Sequence, residues 1–187
     1  MRLSQLIMVC VMLGLCNAGS DVRGDDKKEA KDAPKEETVS DYKSTTHGAL
    51  QVKAVSDQTG NWFNVYKNDK QLTPPGDKLL NNTVELPPGD YVVRVNKSQR
   101  KVTIQAGKQL TLLTGELVVE AKKGTSGWYT PYQGKDAMLT SNPPLLNTPI
   151  ALFAAKYTVE YRESGIAPAL DMGAAEVKAG EKTVLKR

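Results

Sequence analysis

Apolar and polar residues alternate with a period of two along much of the chain after Gly48. A period of two is typical of strands that bury one face, and no stretch of ten or more residues shows the period of a helix. The pattern therefore predicts an all-β protein. The clearest runs have their apolar positions at Leu50, Val52 and Ala54, at Tyr91, Val93 and Val95, and at Val102, Ile104 and Ala106.

Turn residues separate these runs. The tetrapeptide PPGD occurs at 74–77 and again at 87–90. Proline presets the backbone for the first corner of a turn and glycine accepts a positive φ, so each PPGD predicts the end of a strand. Asn81-Asn82 and the tripeptide AGK at 106–108 interrupt the alternation in the same way. Short strands with tight turns between them indicate antiparallel sheets.

Four blocks of sequence occur twice, in the same order. The segment WFNVY at 62–66 recurs 66 residues later as WYTPY at 128–132. In the last block the offset rises to 73, so the second copy has seven extra residues between Tyr161 and Ala175. Matching blocks in the same order indicate a tandem duplication. The other pairs are GALQVKA (48–54) with GELVVEA (115–121), YVVRV (91–95) with YTVEY (157–161), and VTIQAGKQLTL (102–112) with AEVKAGEKTVL (175–185).

The duplication divides the body of the chain into two small domains, repeat 1 at 48–113 and repeat 2 at 114–187. Each is predicted to be a compact antiparallel β-sandwich with its apolar faces inward. A domain of this size buries only about 60% of its unfolded surface and is marginally stable alone. Since almost no linker separates the two copies, we expect them to pack against each other.

The motifs resemble a known class of module. The pattern G-x-L-x-V-x-A, followed by Leu86–Tyr91 (LPPGDY) and V-x-x-x-A-G, is similar to PEGA-like and carboxypeptidase-regulatory-like modules of exported bacterial proteins. The second copy departs from the pattern, with LFAAKY at 152–157. The resemblance implies a transthyretin-like or immunoglobulin-like sandwich. It also implies a structural, adhesive or carbohydrate-associated role, and no particular activity.

The N-terminal segment has the features of an export signal. Leu6–Leu15 (LIMVCVMLGL) is a ten-residue apolar run, too short to span a bilayer and the right length for a signal-peptide core. One interpretation is a signal peptide at 1–18, cleaved before Gly19. The other is a lipoprotein signal ending at 15, with Cys16 lipidated and anchored to a membrane. Both predict an extracytoplasmic protein in the periplasm, at the cell surface or secreted.

Residues 19–47 crowd charges of both signs together and contain few apolar side chains. Such a segment buries too little apolar area to offset its ordering entropy, so we predict a flexible tether. Both cysteines, Cys10 and Cys16, precede it. The exported body therefore has no disulfide to stabilise it.

Charge and chemistry exclude several classes of function. The net charge of the chain is +4, and its basic residues are scattered among acidic ones. A nucleic-acid-binding protein typically groups basic residues on one face, so this class is not favoured. His47 is the sole histidine, and it has no second histidine or cysteine to complete a metal site or a catalytic set. No phosphate-binding loop or Ser/His/Asp set is present. We predict a non-enzymatic protein with no cofactor and no metal.

The aromatic segments supply the candidate ligand-binding residues, Trp62, Tyr66, Trp128 and Tyr132. Alternation places each tryptophan on the same face of its strand as the tyrosine four residues later. These faces are either exposed platforms that bind sugar rings or peptide, or inward faces on which the tryptophans pack between the two sheets. Pro131 lacks an amide hydrogen and predicts an edge strand in repeat 2 that a partner strand can join.

The leading functional hypothesis is a structural, adhesion or protein-interaction component of the cell envelope. The alternative is a carbohydrate-binding accessory protein that uses the aromatic segments to hold cell-wall polysaccharide.

Overall fold

The computed structural model describes residues 35–56, 62–73, 79–139 and 142–187, all within the unit Ala33–Arg187. These residues form fifteen strands in four sheets and no helix, so the all-β prediction is confirmed. Within these ranges no helix is long and apolar enough to cross a membrane. The signal segment and Cys16 lie outside the described residues.

Repeat 1 is a sandwich of two four-stranded sheets. The inner faces of both sheets contribute to one apolar core that includes Leu50, Phe63, Val93 and Leu112. The first sheet has the order β1 (Glu37–Asp41), β8 (Lys108–Leu113), β2 (Gly48–Lys53), β5 (Thr83–Leu86). The second has the order β4 (Lys70–Gln71), β3 (Phe63–Lys67), β6 (Gly89–Val95), β7 (Ser98–Ile104).

Repeat 2 has the same strand plan. Its first sheet has the order β12 (Ile150–Leu152), β9 (Gly115–Glu120), β15 (Lys182–Lys186). Its second has the order β11 (Asp136–Ala137), β10 (Trp128–Gln133), β13 (Ala155–Arg162), β14 (Leu170–Val177). In both repeats the first strand pairs parallel with the last, β2 with β8 and β9 with β15. Equal connectivity in the two halves is what a tandem duplication predicts.

Polar anchors recur at equivalent positions of the two repeats. Asn81 and Asn147 both have left-handed backbones, with φ of 73° and 64°. The side-chain oxygen of each accepts a hydrogen bond from the backbone just after the first strand of its repeat, from Ala54 N at 3.2 Å and from Ala121 N at 3.0 Å. Asparagine tolerates the left-handed conformation, and its side chain here ties the turn to a distant part of the same repeat.

The two corner tyrosines are also equivalent. Tyr91 donates its hydroxyl hydrogen to the carbonyl of Pro87, and Tyr157 donates to that of Phe153, both at 2.7 Å. Each bond ties the start of a long strand to the preceding corner. Both tyrosines thus anchor a corner of their sandwich through the hydroxyl.

Burial raises the pKa of Tyr157 from 10.0 to about 12, against smaller lowering effects of Ser98 and Arg100. In the unfolded chain the Tyr157 hydroxyl ionises near pH 10. Its contribution to the free energy of unfolding is therefore fully present below that pH and is lost as the pH rises towards about 12. At about pH 8 we expect Tyr157→Phe to cost roughly 1 kcal/mol through the lost hydrogen bond. Urea unfolding at about pH 8 and about pH 11 should show this difference shrinking at the higher pH. A constant difference would contradict the shift.

The repeats are joined by a side chain that lies in the corner between β12 and β13. Phe153 occupies the position equivalent to Pro87, yet it is buried in the core of repeat 1. Its backbone N donates to Ser98 Oγ at 3.1 Å, and Asn96 Nδ2 donates to the carbonyl of Ala151 at 2.9 Å. The departure of LFAAKY from the PPG turn thus has a structural reason. The expected packing between the repeats is confirmed.

The prediction of a flexible tether over 19–47 is wrong for its C-terminal part. Strand β1 pairs antiparallel with β8 along its whole length, from Glu37 opposite Leu112 to Asp41 opposite Lys108. All five of its side chains are exposed. Backbone pairing rather than burial holds the strand, so composition does not reveal it. Residues 19–34 of the predicted tether lie outside the described part of the chain.

The prediction that Pro131 marks an edge strand is also wrong. Strand β10 lies between β11 and β13. The Pro131 carbonyl accepts a hydrogen bond from Met138 N at 2.8 Å, so the segment after β11 continues to cover this side of β10. Pro131 has no amide hydrogen to donate, but its carbonyl and the neighbouring residues Tyr132 and Gln133 still pair with the segment 136–138.

Candidate functional site

The aromatic segments lie with their tryptophans outward. Phe63 and Val65 are fully buried in the core of repeat 1, whereas Trp62 on the opposite face is 48% exposed. In repeat 2 Tyr129 is fully buried, and Trp128 is half-buried at the surface. Neither indole belongs to an apolar core. The alternative in which the tryptophans pack between the sheets is therefore wrong.

Each tryptophan has a leucine as its bridge partner. Trp62 pairs with Leu79, and Trp128 pairs with Leu145. The leucines are 41% and 64% exposed, respectively. We call these the Trp–Leu pairs. Sequence reasoning missed the leucines, although both lie 17 positions after their tryptophan, a repeated spacing that was available as a signal.

A cleft of about 600 Å³ opens between the outer face of the second sheet of repeat 1 and the β10–β11 hairpin of repeat 2. We call it the inter-repeat cleft. Repeat 1 contributes the outward side chains of three neighbouring strands, and repeat 2 contributes a carboxylate. Its polar and aromatic lining includes Asn64, Tyr66, Arg94, Gln99 and Asp136.

The polar groups around Tyr66 are held in place by one another. The Tyr66 hydroxyl donates to Gln71 Oε1 at 3.1 Å, and Gln71 Nε2 donates to Asn64 Oδ1 at 3.1 Å. The guanidinium of Arg94 lies 4.3 Å from the centre of the Tyr66 ring, while its Nε donates to Gln99 at 3.2 Å. Arg94 therefore covers one face of the Tyr66 ring in a cation–π contact.

The equivalent tyrosine in repeat 2 has a different environment. Tyr132 lies beside Glu160, which stands at the position equivalent to Arg94. Partial burial and the carboxylate of Glu160 raise the pKa of Tyr132. Arg94 lies beside Tyr66, whereas Tyr132 has both Glu160 and Arg162 near it, so the two tyrosines differ in their charged neighbours. The four candidate residues therefore form two unlike surfaces.

The described ranges contain no group of three histidine, cysteine, aspartate or glutamate side chains placed to hold a metal ion. His47 is exposed in the loop before β2, with a ring nitrogen 3.0 Å from Thr46 Oγ1. A hydroxyl neighbour at the surface does not orient a general base, which needs a carboxylate or carbonyl behind it.

Comparisons with known proteins identify no family. No protein-family model matches the chain, and no curated protein matches its sequence. Among solved structures, the chain is similar to one described as "The Bacillus anthracis TIE protein", with 17% sequence identity and a TM-score of 0.30. The similarity covers 76% of this chain and 33% of that protein, so this chain spans about a third of its length. A TM-score this low carries no information on function.

Proposed function

We propose that this chain is a non-enzymatic, exported interaction protein of the cell envelope that holds a protein partner against the outer faces of β3 and β10. The observation that carries the proposal is the exposed Trp–Leu pair present in each repeat. Tryptophan is the residue type most enriched among side chains that dominate binding energy. Apolar side chains grouped at the surface and bordered by polar residues mark interaction sites.

The surroundings of the first Trp–Leu pair support a protein partner. Leu79 places an aliphatic side chain beside the indole, which suits the apolar side chains of a protein. On the same face of the sheet, Asn64 of β3 and Arg94 of the neighbouring β6 supply hydrogen-bonding groups. An apolar centre with a polar rim is the usual composition of a protein–protein interface.

Carbohydrate binding is the second candidate, and the inter-repeat cleft favours it. Tyr66 lines the cleft, and Asn64, Gln99 and Asp136 supply amide and carboxylate groups within it. Sugars combine apolar C–H faces with many hydroxyls, so an aromatic ring surrounded by such groups suits a cell-wall polysaccharide.

The envelope location rests on the N-terminal sequence and on the resemblance to PEGA-like modules of exported proteins. Mass spectrometry of the mature N-terminus decides between the two export routes. A diacylglycerol-modified Cys16 places the chain on a membrane, and an unmodified Gly19 identifies a secreted or periplasmic protein. An N-terminus at Met1 in cells of the source organism would overturn the proposal of export.

Trp62→Ala tests the binding surface. Because Trp62 is half-exposed and outside the core, we expect the free energy of unfolding to change by no more than about 0.5 kcal/mol. Binding of the full chain to isolated cell envelopes should weaken by roughly tenfold or more. Leu170→Ala, an exposed apolar residue in the β13–β14 hairpin, is the matched control and should bind normally.

Treatment of the envelopes separates the two candidate partners. Protease digestion removes the binding if the partner is a protein, whereas periodate oxidation of sugars removes it if the partner is a polysaccharide. Wild-type binding by Trp62→Ala would contradict a role for the Trp–Leu pair under either treatment.

A further inference from the structure

The first sheet of each repeat has an open edge on the side of its last strand. β1 is the outermost strand of the first sheet of repeat 1, and β15 is the outermost strand in repeat 2. Among the residues that the structure describes, none pairs with the outer edge of either strand. An open edge presents unpaired N–H and C=O groups that favour pairing with another strand.

β15 is the equivalent of a strand that is covered in repeat 1. β8 and β15 both pair parallel with the first strand of their repeat, but only β8 also has β1 on its other side. The consequence is visible in burial. Thr111 of β8 is buried, whereas Val184 at the equivalent position of β15 is 38% exposed. The fold thus has a position for one more strand beside β15.

The two open strands have opposite charges and similar patterns. β1 reads ETVSD, with Glu37 and Asp41 at its ends, and β15 reads KTVLK, with Lys182 and Lys186 at its ends. Each has an exposed valine at its centre, Val39 and Val184. Opposite charges and branched apolar residues placed directly across from each other stabilise a strand pair.

We propose that β15 of one copy pairs antiparallel with β1 of a second copy of this chain. Glu37 then lies opposite Lys186, Val39 opposite Val184, and Asp41 opposite Lys182. Pairing of β1 with β1, or of β15 with β15, instead places like charges at both ends, which is unfavourable. The proposal is independent of the Trp–Leu pairs.

The contact is head-to-tail, so an open assembly has one unpaired β1 at one end and one unpaired β15 at the other. Such a contact builds open chains of copies unless the rotation closes a ring. Glu37 and Val39 lie opposite the core residues Leu112 and Leu110, while Val184 alternates with Leu185, which packs on the core of repeat 2. The joined sheet therefore carries the two cores on opposite faces.

Charge reversal tests the pairing, because neither Glu37 nor Lys186 takes part in an ion pair among the described residues. Sedimentation of the full chain over a range of concentrations should show association that weakens with salt. Lys186→Glu or Glu37→Lys alone should raise the dissociation constant by roughly tenfold. The double variant Glu37→Lys/Lys186→Glu should restore it. Lys123→Glu makes the same charge change in an exposed loop and should associate normally.

A cross-linking experiment supplies a second readout. In a background with Cys10→Ser and Cys16→Ser, oxidation of a mixture of Val39→Cys and Val184→Cys chains should give a mixed disulfide dimer, since directly opposite residues have the required spacing. Its absence, or a wild-type chain that remains monomeric at all concentrations, overturns the proposal. The proposal is also overturned if Lys186→Glu, Glu37→Lys and the double variant all associate as strongly as the wild type, because the contact would then lie elsewhere.

Discussion

Gly48→Ala and Gly115→Ala should each lower the free energy of unfolding by about 3 kcal/mol or more. A Cβ at Gly48 would lie within 3.0 Å of the Gln105 carbonyl oxygen, and one at Gly115 within 3.0 Å of the Lys178 carbonyl oxygen. These oxygens belong to the backbone next to the last turn of each repeat. That turn is pinned by hydrogen bonds from Gly107 N to His47 O, at 3.0 Å, and from Gly180 N to Thr114 O, at 2.9 Å.

Urea denaturation of the two variants measures the effect. Gly165→Ala is the matched control, because a Cβ there meets no atom within 4 Å and the backbone φ is not positive. We expect the control to change stability by no more than about 0.5 kcal/mol. Equal losses at Gly48 and Gly115 would show that the two positions have the same structural role. A stability of Gly48→Ala equal to that of the control would be inconsistent with the close approach.

Phe153→Ala should cost about 3–5 kcal/mol, the usual range for removing a buried phenylalanine. The side chain is carried by repeat 2 but packs in the core of repeat 1, beneath the Arg100 guanidinium at 5.5 Å from the ring centre. Its loss removes packing from one repeat and weakens the contact between the two. We therefore expect the single unfolding transition to separate into two.

Each repeat contains one tryptophan, so fluorescence can follow the repeats separately. The Trp62→Phe chain reports repeat 2, and the Trp128→Phe chain reports repeat 1. With Phe153 present, both should unfold at the same urea concentration; with Phe153→Ala, repeat 1 should unfold earlier. Ile166→Ala, at an almost fully exposed position, should leave both midpoints unchanged. Coincident, unshifted transitions in Phe153→Ala would contradict a coupling role.

The strands and the duplication were predictable because burial of one strand face produces an alternation of apolar and polar residues between close neighbours in the sequence. Val93 and Ile104 face a core, so they alternate with polar neighbours that face water. Tyr91 and Tyr157 were recognisable because each copy retained the same residue before the same alternating strand, and their shared hydrogen bond explains the residue type. Such features depend on neighbours a few positions away.

Long-range features were not predictable in the same way. β1 is held by backbone hydrogen bonds to β8, some 70 residues away, and its exposed side chains carry no pattern of burial. In the sequence, Phe153 is only a departure from the LPPGDY pattern. Its reason is not visible there, because the residues that Phe153 packs against belong to the other repeat. Pro131 predicted an edge strand, yet β11 and Met138 lie along that side of β10. The alternation of apolar and polar residues does not show which segment pairs there.

The candidate site was predictable in part. Alternation placed Trp62 and Tyr66 on one face, but the choice between inward and outward needed the burial of Phe63. The contrast between Arg94 and Glu160 depends on which strands lie side by side, β3 with β6 and β10 with β13. Strand pairing depends on the whole sheet, so the difference between the charged neighbours of Tyr66 and Tyr132 can be seen only in the fold.

Backbone nuclear Overhauser effects between the first and last strands of each repeat test the duplicated sandwich plan most directly. Two sets of parallel contacts are expected in one chain, joining Leu50 with Leu110 in repeat 1 and Leu117 with Thr183 in repeat 2. Parallel contacts in one half with antiparallel or missing contacts in the other would show that the halves do not share a strand plan, and would contradict the account.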